Sequence, residues 1–226
     1  MVIYLVTIII PTYNEINNIK SLEYQLSKLE GEFEVIFSDG FSTDGTYEAI
    51  SYPKIQVAKG RAKQMNVAAS LARGEYLWFL HADSRIDRRS IRAIEKSNYD
   101  FGCFYLAFYP SSLALFIAST SSSHRVRTRK IAFGDQGIFI KKELFDKIGG
   151  YKELPIMEDY QLSIDLKEMG KPVELLPYYI YTSSRRFKAG VLRTLIKMQK
   201  LQYRHRKGMD IYEIERDYEN YDGKDA

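Results

Sequence analysis

The chain is poor in cysteine and proline and has no long apolar run. Cys103 is the single cysteine among 226 residues, which excludes an internal disulfide framework and a zinc finger and is consistent with a reducing cytoplasm. The longest candidate for a membrane span, residues 101–120, is interrupted by Tyr109-Pro110-Ser111-Ser112, so no transmembrane helix is predicted. Residues 1–10 lack a basic start and a cleavage site, and we interpret them as a first strand rather than a signal peptide.

Charge of either sign is nearly balanced overall but unevenly distributed. The chain has 33 Lys or Arg and 29 Asp or Glu residues, for a net charge of +4. Nine basic and no acidic residues lie between Arg185 and Lys207, whereas acids dominate from Asp210 to Asp225. The basic segment indicates an anionic partner, such as phosphate groups, lipid headgroups or nucleic acid; the alternative is a solvated helix face. No nucleic-acid recognition module accompanies it, and we expect no nucleic-acid partner.

Short apolar segments alternate with helical patterns through the first hundred residues. The predicted strands are 4–10, 33–38, 55–58 and 76–80, and the predicted helices are 16–29, 45–50, 61–72 and 88–96. In the first helix, one stripe carries Ile19, Leu22, Leu26 and Leu29, as in a helix packed on a sheet. This alternation indicates an α/β fold with a mostly parallel, Rossmann-like sheet flanked by helices.

The second half is less regular. We predict strands over 101–109 and 136–140, and helices over 113–122, 142–148, 158–169, 189–206 and 211–221. The last two helices form a C-terminal helical extension.

A carboxylate ends the most apolar strand. Asp83 follows Tyr76-Leu77-Trp78-Phe79-Leu80-His81-Ala82, and ligands bind outside the carboxyl ends of parallel strands. There Asp83 could hold Mg²⁺ or Mn²⁺ against substrate phosphates. The alternative is that it caps the next helix.

Three further loops offer polar groups at the same predicted edge. The first is Pro11-Thr12-Tyr13-Asn14-Glu15, in which Asn14 can cap the following helix. The second, Ser38 to Thr46, holds Asp39, suited to a ribose or base, and Asp44, a helix cap. The third is Gly60-Arg61-Ala62-Lys63-Gln64-Met65-Asn66. Its cations lie in a first helical turn, where they oppose the helix dipole unless an anion such as a diphosphate binds.

Together these motifs, with Gly134-Asp135-Gln136-Gly137, Gly149-Gly150-Tyr151 and Met157-Glu158-Asp159, identify a resemblance. The chain resembles a family-2 glycosyltransferase of the GT-A fold over residues 3 to about 207. It is most similar to a subgroup of small transferases with Phe-Leu-His-Ala-Asp and Gly-Asp-Gln signatures.

The resemblance implies a nucleotide-diphosphate sugar donor, most often UDP-linked, and a divalent cation, Mn²⁺ or Mg²⁺. It implies contacts to the donor from Pro11, Thr12, Tyr13, Glu15, Asp39, Arg61 and Asn66. Asp83 would hold the metal, and Asp159, with Glu158 beside it, would be the catalytic carboxylate. The alternative for the last pair is complementing the dipole of their own helix. Asp135 and Gln136 are expected near the acceptor from position alone.

The chain departs from the family pattern at the first position of the Asp-x-Asp motif. His81 stands there, so one hard oxygen ligand is replaced by an imidazole, which suits Mn²⁺ better than Mg²⁺. His81 could bind the metal, contact a phosphate or sugar hydroxyl, or orient Asp83.

Two later segments bear on the diphosphate and on the membrane. Ser183-Ser184-Arg185-Arg186-Phe187 follows the last strand, where Arg185 or Arg186 could clamp the diphosphate. Leu113 to Ala118 precedes several arginines and could rest on an anionic membrane and present a lipid-linked acceptor. Ordinary burial of this helix is the favoured alternative.

These observations predict an inverting glycosyltransferase that acts on an unknown hydroxyl acceptor. We expect one transferase domain over 1–207, with a nucleotide-binding half (1–100) and an acceptor half (101–207), followed by an acidic helix and tail over 208–226. The expected location is the cytoplasm, with the inner face of the membrane as an alternative. The other function to weigh is a non-catalytic protein that binds a nucleotide sugar or an anionic membrane.

Overall fold

The computed structural model describes residues 4–187 and 190–222. Eight strands form one sheet in this part of the chain: β1 (Val6–Thr12), β2 (Phe33–Asp39), β3 (Lys54–Gln56), β4 (Tyr76–Phe79), β5 (Arg85–Ile86), β6 (Phe101–Tyr109), β7 (Phe139–Lys141) and β8 (Glu174–Ser183). Their spatial order is β3-β2-β1-β4-β7-β6-β8-β5.

Within the described residues, nine α-helices flank the sheet: α1 (Ile16–Leu26), α2 (Thr46–Ala49), α3 (Arg61–Leu71), α4 (Ser90–Ser97), α5 (Leu113–Arg129), α6 (Lys142–Ile148), α7 (Glu158–Glu168), α8 (Val191–Arg206) and α9 (Ile211–Asp222). Two 3₁₀ helices, Gly134–Gln136 and Ser184–Phe187, lie between them. The predicted α/β fold is therefore confirmed.

Strand direction determines which loops meet. β1, β2, β3 and β4 are mutually parallel, β7 runs antiparallel to both β4 and β6, and β8 is parallel to β6. The carboxyl ends of β1, β2, β4, β6 and β8 thus lie at one edge of the sheet, together with the start of β7. We call this edge the carboxyl edge.

The core lies on both faces of the sheet. In β1, Ile8 and Ile10 pack on one face with Leu22 of α1, while Ile9 packs on the other face with Met65 of α3. Both faces are covered, which explains why β1 and β4 read as continuous apolar runs. Cys103 is also fully buried in this core.

Several predicted bounds were wrong. The segment predicted as a strand over 136–140 begins with the 3₁₀ helix Gly134–Gln136, and only Phe139–Lys141 is extended. The helix predicted to end at residue 122 continues to Arg129; within the continuation, the hydroxyls of Ser123 and Thr128 donate to the carbonyls of Ser119 and His124, one turn earlier. β5 was not predicted, and β8 was given no bounds.

The C-terminal segment forms two helices, as predicted. α8 begins at Val191; the predicted start at residue 189 lies outside the described residues, as do 1–3 and 223–226. None of the helices within 4–187 and 190–222 combines the length and hydropathy needed to cross a membrane.

Candidate functional site at the carboxyl edge

The loops after β1 and β2 are joined by buried hydrogen bonds. Asp39 is fully buried at the end of β2, and its carboxylate accepts hydrogen bonds from the hydroxyl of Thr12 at 3.1 Å and from the backbone N–H of Ser42 at 2.8 Å. The Ser42 hydroxyl donates a further bond at 2.5 Å. Asp39 therefore sets the shape of the loop that follows it.

The capping prediction for Asn14 was wrong. Its side-chain oxygen accepts from the N–H of Thr43 at 2.9 Å and does not cap α1. Asn14 is left-handed, with φ of 54°, which turns its amide towards the second loop. Asp44 serves both helices instead: its carboxylate accepts from the N–H of Thr46 at 3.0 Å and of Ile16 at 3.2 Å, the first residues of α2 and α1.

Gln64 holds three loops together and was not singled out from the sequence. Its amide donates to the carbonyls of Thr12 at 2.9 Å and Ser38 at 2.6 Å, and its oxygen accepts from the N–H of Gly60 at 3.3 Å. The side chain is buried. In the sequence, only its position next to the apolar Met65 could have indicated that Gln64 is buried.

An aromatic and a basic side chain lie beside these loops. Tyr13 is exposed, and the ammonium of Lys59 lies 4.1 Å from the centre of its ring. Pro11 lies within β1, paired with Ser38. An aromatic ring beside these loops is available for stacking against a nucleotide base.

Asp83 contacts an arginine that arrives from the far end of the chain. Nε of Arg185 lies 3.4 Å from Oδ2 of Asp83, and its guanidinium binds both oxygens of Glu15, at 2.6 and 3.3 Å. Burial raises the pKa of Asp83, and Arg185 opposes that increase. The structure thus places two predicted donor-binding residues and the predicted metal ligand together.

His81 and Asp159 approach each other across Gly134. A Cβ atom at Gly134 would lie 2.8 Å from Nε2 of His81 and 3.3 Å from Oδ2 of Asp159. The N–H of Gly134 donates to Oδ2 of Asp159 at 2.6 Å, and the N–H of Tyr160 donates to Oδ1 at 2.6 Å. Both carboxylate oxygens are therefore oriented by the backbone.

The pKa of His81 lies well below its ordinary value. Burial is the main cause, and the cations Arg61, Arg186 and Arg185 add to it. The imidazole is therefore neutral at pH 7, with one ring nitrogen able to accept a hydrogen bond or coordinate a metal. Arg186 itself is exposed beside the carboxyl edge.

Glu158 is paired rather than free. It is buried, and its Oε1 lies 3.2 Å from a guanidinium nitrogen of Arg61 in the first turn of α3. Burial raises the pKa of Glu158, and Arg61 opposes the rise. The pair joins α3 to the start of α7 and balances the cation that the sequence placed at a helix N-terminus.

Asp135 and Gln136 lie in different environments despite being neighbours. Oδ1 of Asp135 is buried without a hydrogen-bond partner among the described residues, and burial raises the pKa of this carboxyl group. The amide of Gln136 is fully buried and accepts from Arg125 at 2.9 Å and from the N–H of Phe133 at 3.3 Å. Asp135 is thus the residue of the two with unused hydrogen-bonding capacity.

Asn66 anchors a neighbouring loop. Its amide donates to the carbonyl of Tyr151 at 2.8 Å and accepts from the N–H of Tyr151 at 2.9 Å. A Cβ at Gly150 would lie 2.7 Å from the Asn66 oxygen, and Gly150 has φ of 77°. The Gly149-Gly150-Tyr151 motif is therefore explained by this close approach.

The side chains present fit a divalent cation whose remaining ligands come from the substrate. No group of three or more His, Cys, Asp or Glu side chains in the described ranges is placed to hold a metal. One carboxylate, Asp83, and one neutral imidazole, His81, are two positions apart in the loop after β4. Mg²⁺ and similar ions are commonly bound by one or two protein ligands and by substrate phosphates, which matches this set.

Comparison with known proteins gives one family match. Residues 7–97 match the model of Glycosyl transferase family 2. A comparison with curated protein sequences gives no match.

Solved structures share the fold. A mannosyltransferase from Pyrobaculum calidifontis, PcManGT in complex with GDP-Man and Mn²⁺, superimposes with a TM-score of 0.67 at 22% identity, over 89% of this chain and 62% of that one. TarS residues 1–349 from S. aureus, in complex with UDP, gives 0.61 at 20% identity over 79% and 60%. The chain thus spans about three fifths of the length of these proteins and shares the GT-A glycosyltransferase fold.

Proposed function

We propose that the chain is an inverting glycosyltransferase that moves a sugar from a nucleotide-diphosphate donor to a hydroxyl acceptor. The observation that carries the proposal is the meeting of His81 and Asp159 at Gly134. It brings the proposed metal-binding loop after β4 and a carboxylate from α7 to one point at the carboxyl edge.

The donor would lie across the loops after β1, β2 and β4. Tyr13 and Asp39 would contact the nucleoside, with Thr12 and Gln64 fixing the backbone around it. Arg61, Arg185 and Arg186 would meet the diphosphate, since guanidinium groups bind phosphates in a bidentate manner. We take the donor to be UDP-linked, as the resemblance implies; the similar structures hold UDP in one case and GDP-Man in another.

A divalent cation, Mn²⁺ or Mg²⁺, would be held by Asp83 and His81 and would neutralise charge on the leaving diphosphate. Arg185 lies on Asp83 and Glu15 in the structure, so its guanidinium would turn towards the phosphates when the donor binds. The imidazole at His81 favours Mn²⁺ over Mg²⁺.

Asp159 would act as the general base. The acceptor oxygen attacks the anomeric carbon, the bond from that carbon to the diphosphate oxygen breaks, and its electron pair leaves with the diphosphate. The proton of the acceptor hydroxyl passes to Asp159. Direct displacement from the face opposite the leaving group inverts the anomeric centre. Glu158, paired with Arg61, would position this arrangement, and Asp135, with its unpartnered oxygen, would contact the acceptor.

The remaining assignments follow from the same proposal. Residues 1–100 would form the donor half and 101–207 the acceptor half, and the chain would belong to the small-transferase subgroup named above. The acceptor would be met in the cytoplasm or at the inner face of the membrane, with a lipid-linked alcohol as one candidate.

Calorimetric titration with UDP, GDP and their sugar conjugates, with and without Mn²⁺, tests the donor assignment. We expect metal-dependent binding of one nucleotide that is lost in Asp83→Ala and retained in Asp87→Ala, a matched surface carboxylate. Asp159→Asn should bind the donor as the wild type does but lose transfer. Folded protein that binds no nucleotide would instead favour a non-catalytic role, and full activity in Asp159→Asn would overturn the assigned base.

A further inference from the structure

Helices α5 and α8 pack against each other but leave large apolar side chains in solvent. Leu115 and Ala118 of α5 form a buried cluster with Val191 and Leu195 of α8. Around this contact, five side chains remain 60–78% exposed: Leu113, Phe116, Ile117, Leu192 and Ile196. We call these five residues the apolar surface. Burial of this helix was the favoured prediction, and in its first turns it holds for Leu115 and Ala118 but is wrong for Leu113, Phe116 and Ile117.

An apolar surface of this kind requires a partner. Single exposed apolar residues are common, but large aliphatic and phenyl groups grouped on two adjacent helices mark an interaction site. All five side chains lack polar atoms, so they offer a partner no hydrogen bond and no charge. The partner must therefore supply an apolar phase rather than a polar protein surface.

The charge around the apolar surface identifies that partner. Neither α5 nor α8, 17 and 16 residues long, contains an Asp or Glu. Exposed cations lie on the same two helices, at Arg127, Arg129, Arg193 and Lys200. Arg193 and Lys200 lie within four positions of Leu192 and Ile196 on α8, whereas Arg127 and Arg129 lie in the last turn of α5. Apolar groups on helices that carry cations and no acids are suited to the interface of an anionic bilayer, where acyl chains and headgroups meet.

The position of the apolar surface relates it to the candidate site. The 3₁₀ helix Ser184–Phe187 lies shortly before α8 and carries Arg185, which contacts Asp83. Phe187 packs on Phe108, with ring centres 4.9 Å apart, in the same cluster that joins α5 to α8. The opposite side of α8 is covered by α9, where Leu201 and Ile214 are buried together.

We infer that the apolar surface docks the protein on an anionic lipid bilayer, with the carboxyl edge beside it. If the docked protein is the proposed glycosyltransferase, its acceptor is an amphiphile whose hydroxyl lies at the membrane surface. This consequence rests on the proposed function. Docking itself requires no transfer activity, so the two can be tested separately.

Co-sedimentation with phosphatidylcholine vesicles, and with vesicles that also contain phosphatidylglycerol, tests the inference. We expect binding to the anionic vesicles and a loss of about tenfold or more in Leu113→Ser/Phe116→Ser/Ile117→Ser, because each apolar group contributes to insertion. Leu71→Ser, at an exposed leucine of α3 (54% exposed), should leave binding unchanged. Lys200→Glu should weaken binding to the anionic vesicles. The remaining binding should depend less on salt concentration, because one cation that salt would screen is gone.

Two results would overturn the inference. One is equal binding of the wild type and the triple variant to anionic vesicles. The other is a wild-type dimer in light scattering that the triple variant dissociates, which would assign the surface to a second copy. The variants replace exposed residues and should unfold at the wild-type temperature, while nucleotide titration of the same proteins reports separately on the proposed function.

Discussion

Arg185 and Asp83, separated by 102 positions in the chain, are in contact at the carboxyl edge, with Nε and Oδ2 3.4 Å apart. The same guanidinium binds Glu15 in two places. One cation thus links a carboxylate after β4 with one after β1. A divalent cation that binds Asp83 would compete with this guanidinium, which gives Arg185 an influence on metal affinity as well as on the diphosphate.

Replacing Arg185 should separate these two effects. In Arg185→Ala, we expect Mn²⁺ to bind about two- to fivefold more tightly without nucleotide, since Arg185 is half-exposed and a solvent-screened ion pair contributes up to about 1 kcal/mol. Affinity for UDP should fall, because a phosphate contact is lost. The free Mn²⁺ signal in electron paramagnetic resonance measures the first effect. Arg89→Ala, which breaks the exposed pair with Asp87, is the control, and weaker Mn²⁺ binding in Arg185→Ala would contradict competition.

Gly134→Ala should impair both activity and stability. The new methyl group would lie 2.8 Å from Nε2 of His81, so His81 or the loop must shift, at a cost of about 1–3 kcal/mol. Transfer should fall at least tenfold, because the base and the proposed metal ligand both move. Urea denaturation and product formation measure the two effects. Gly170→Ala, left-handed with open space around it, should lose stability but retain activity; equal activity in both variants would refute this role of Gly134.

Gln64→Leu should destabilise the loops after β1 and β2, across which the nucleotide donor is proposed to lie. The substitution removes the amide that donates to the Thr12 and Ser38 carbonyls. Thr12 keeps its bond from the N–H of Gly40 at 2.8 Å, so we expect a loss of about 1–3 kcal/mol in the free energy of unfolding. Nucleotide affinity should fall as well. Denaturant melts and nucleotide titration test this, and Ser70→Ala on the same helix should change neither.

His81 should make the protein less stable in mild acid. Its folded-state pKa is well below that of an unfolded histidine, so below about pH 6.5 the unfolded chain binds a proton that the folded chain does not. Stability due to this residue therefore decreases as pH falls, by at most about 1.4 kcal/mol per pH unit. Urea melts between pH 7 and pH 5 should show a shallower decline in stability for His81→Asn than for the wild type. An equal decline in the two proteins would contradict this prediction.

Much of the fold follows from local patterns. The stripe Ile19, Leu22 and Leu26 of α1 is buried as predicted. Ala62, Met65 and Ala69 of α3, and Ala72 directly after it, are buried in the core. The strand β6 at 101–109 and the helix α6 at 142–148 have the predicted bounds. Local periodicity carries this information because burial of one face is decided within a few turns or residues.

Other features could not be predicted from local sequence patterns. β5 is two residues long and exists through its pairing with β8, in which Arg85 lies opposite Tyr181. Burial of α5 also depended on packing, because Leu113, Phe116 and Ile117 in its first turns face solvent while Val126 is fully buried. Neither outcome is encoded in hydrophobicity alone, since both depend on which element lies alongside.

The sequence by itself determined the alternating elements of the first half and the polar loops after its strands, and from these loops it predicted candidate site residues. Only the tertiary structure decided how those residues combine. Arg185 reaches Asp83 because β8 runs parallel to β6 and ends at the same edge as β4, and Gly134 separates His81 from Asp159 because antiparallel β7 starts there. Such contacts depend on strand order and direction, which arise from long-range pairing, whereas local patterns specify only each element and its buried face.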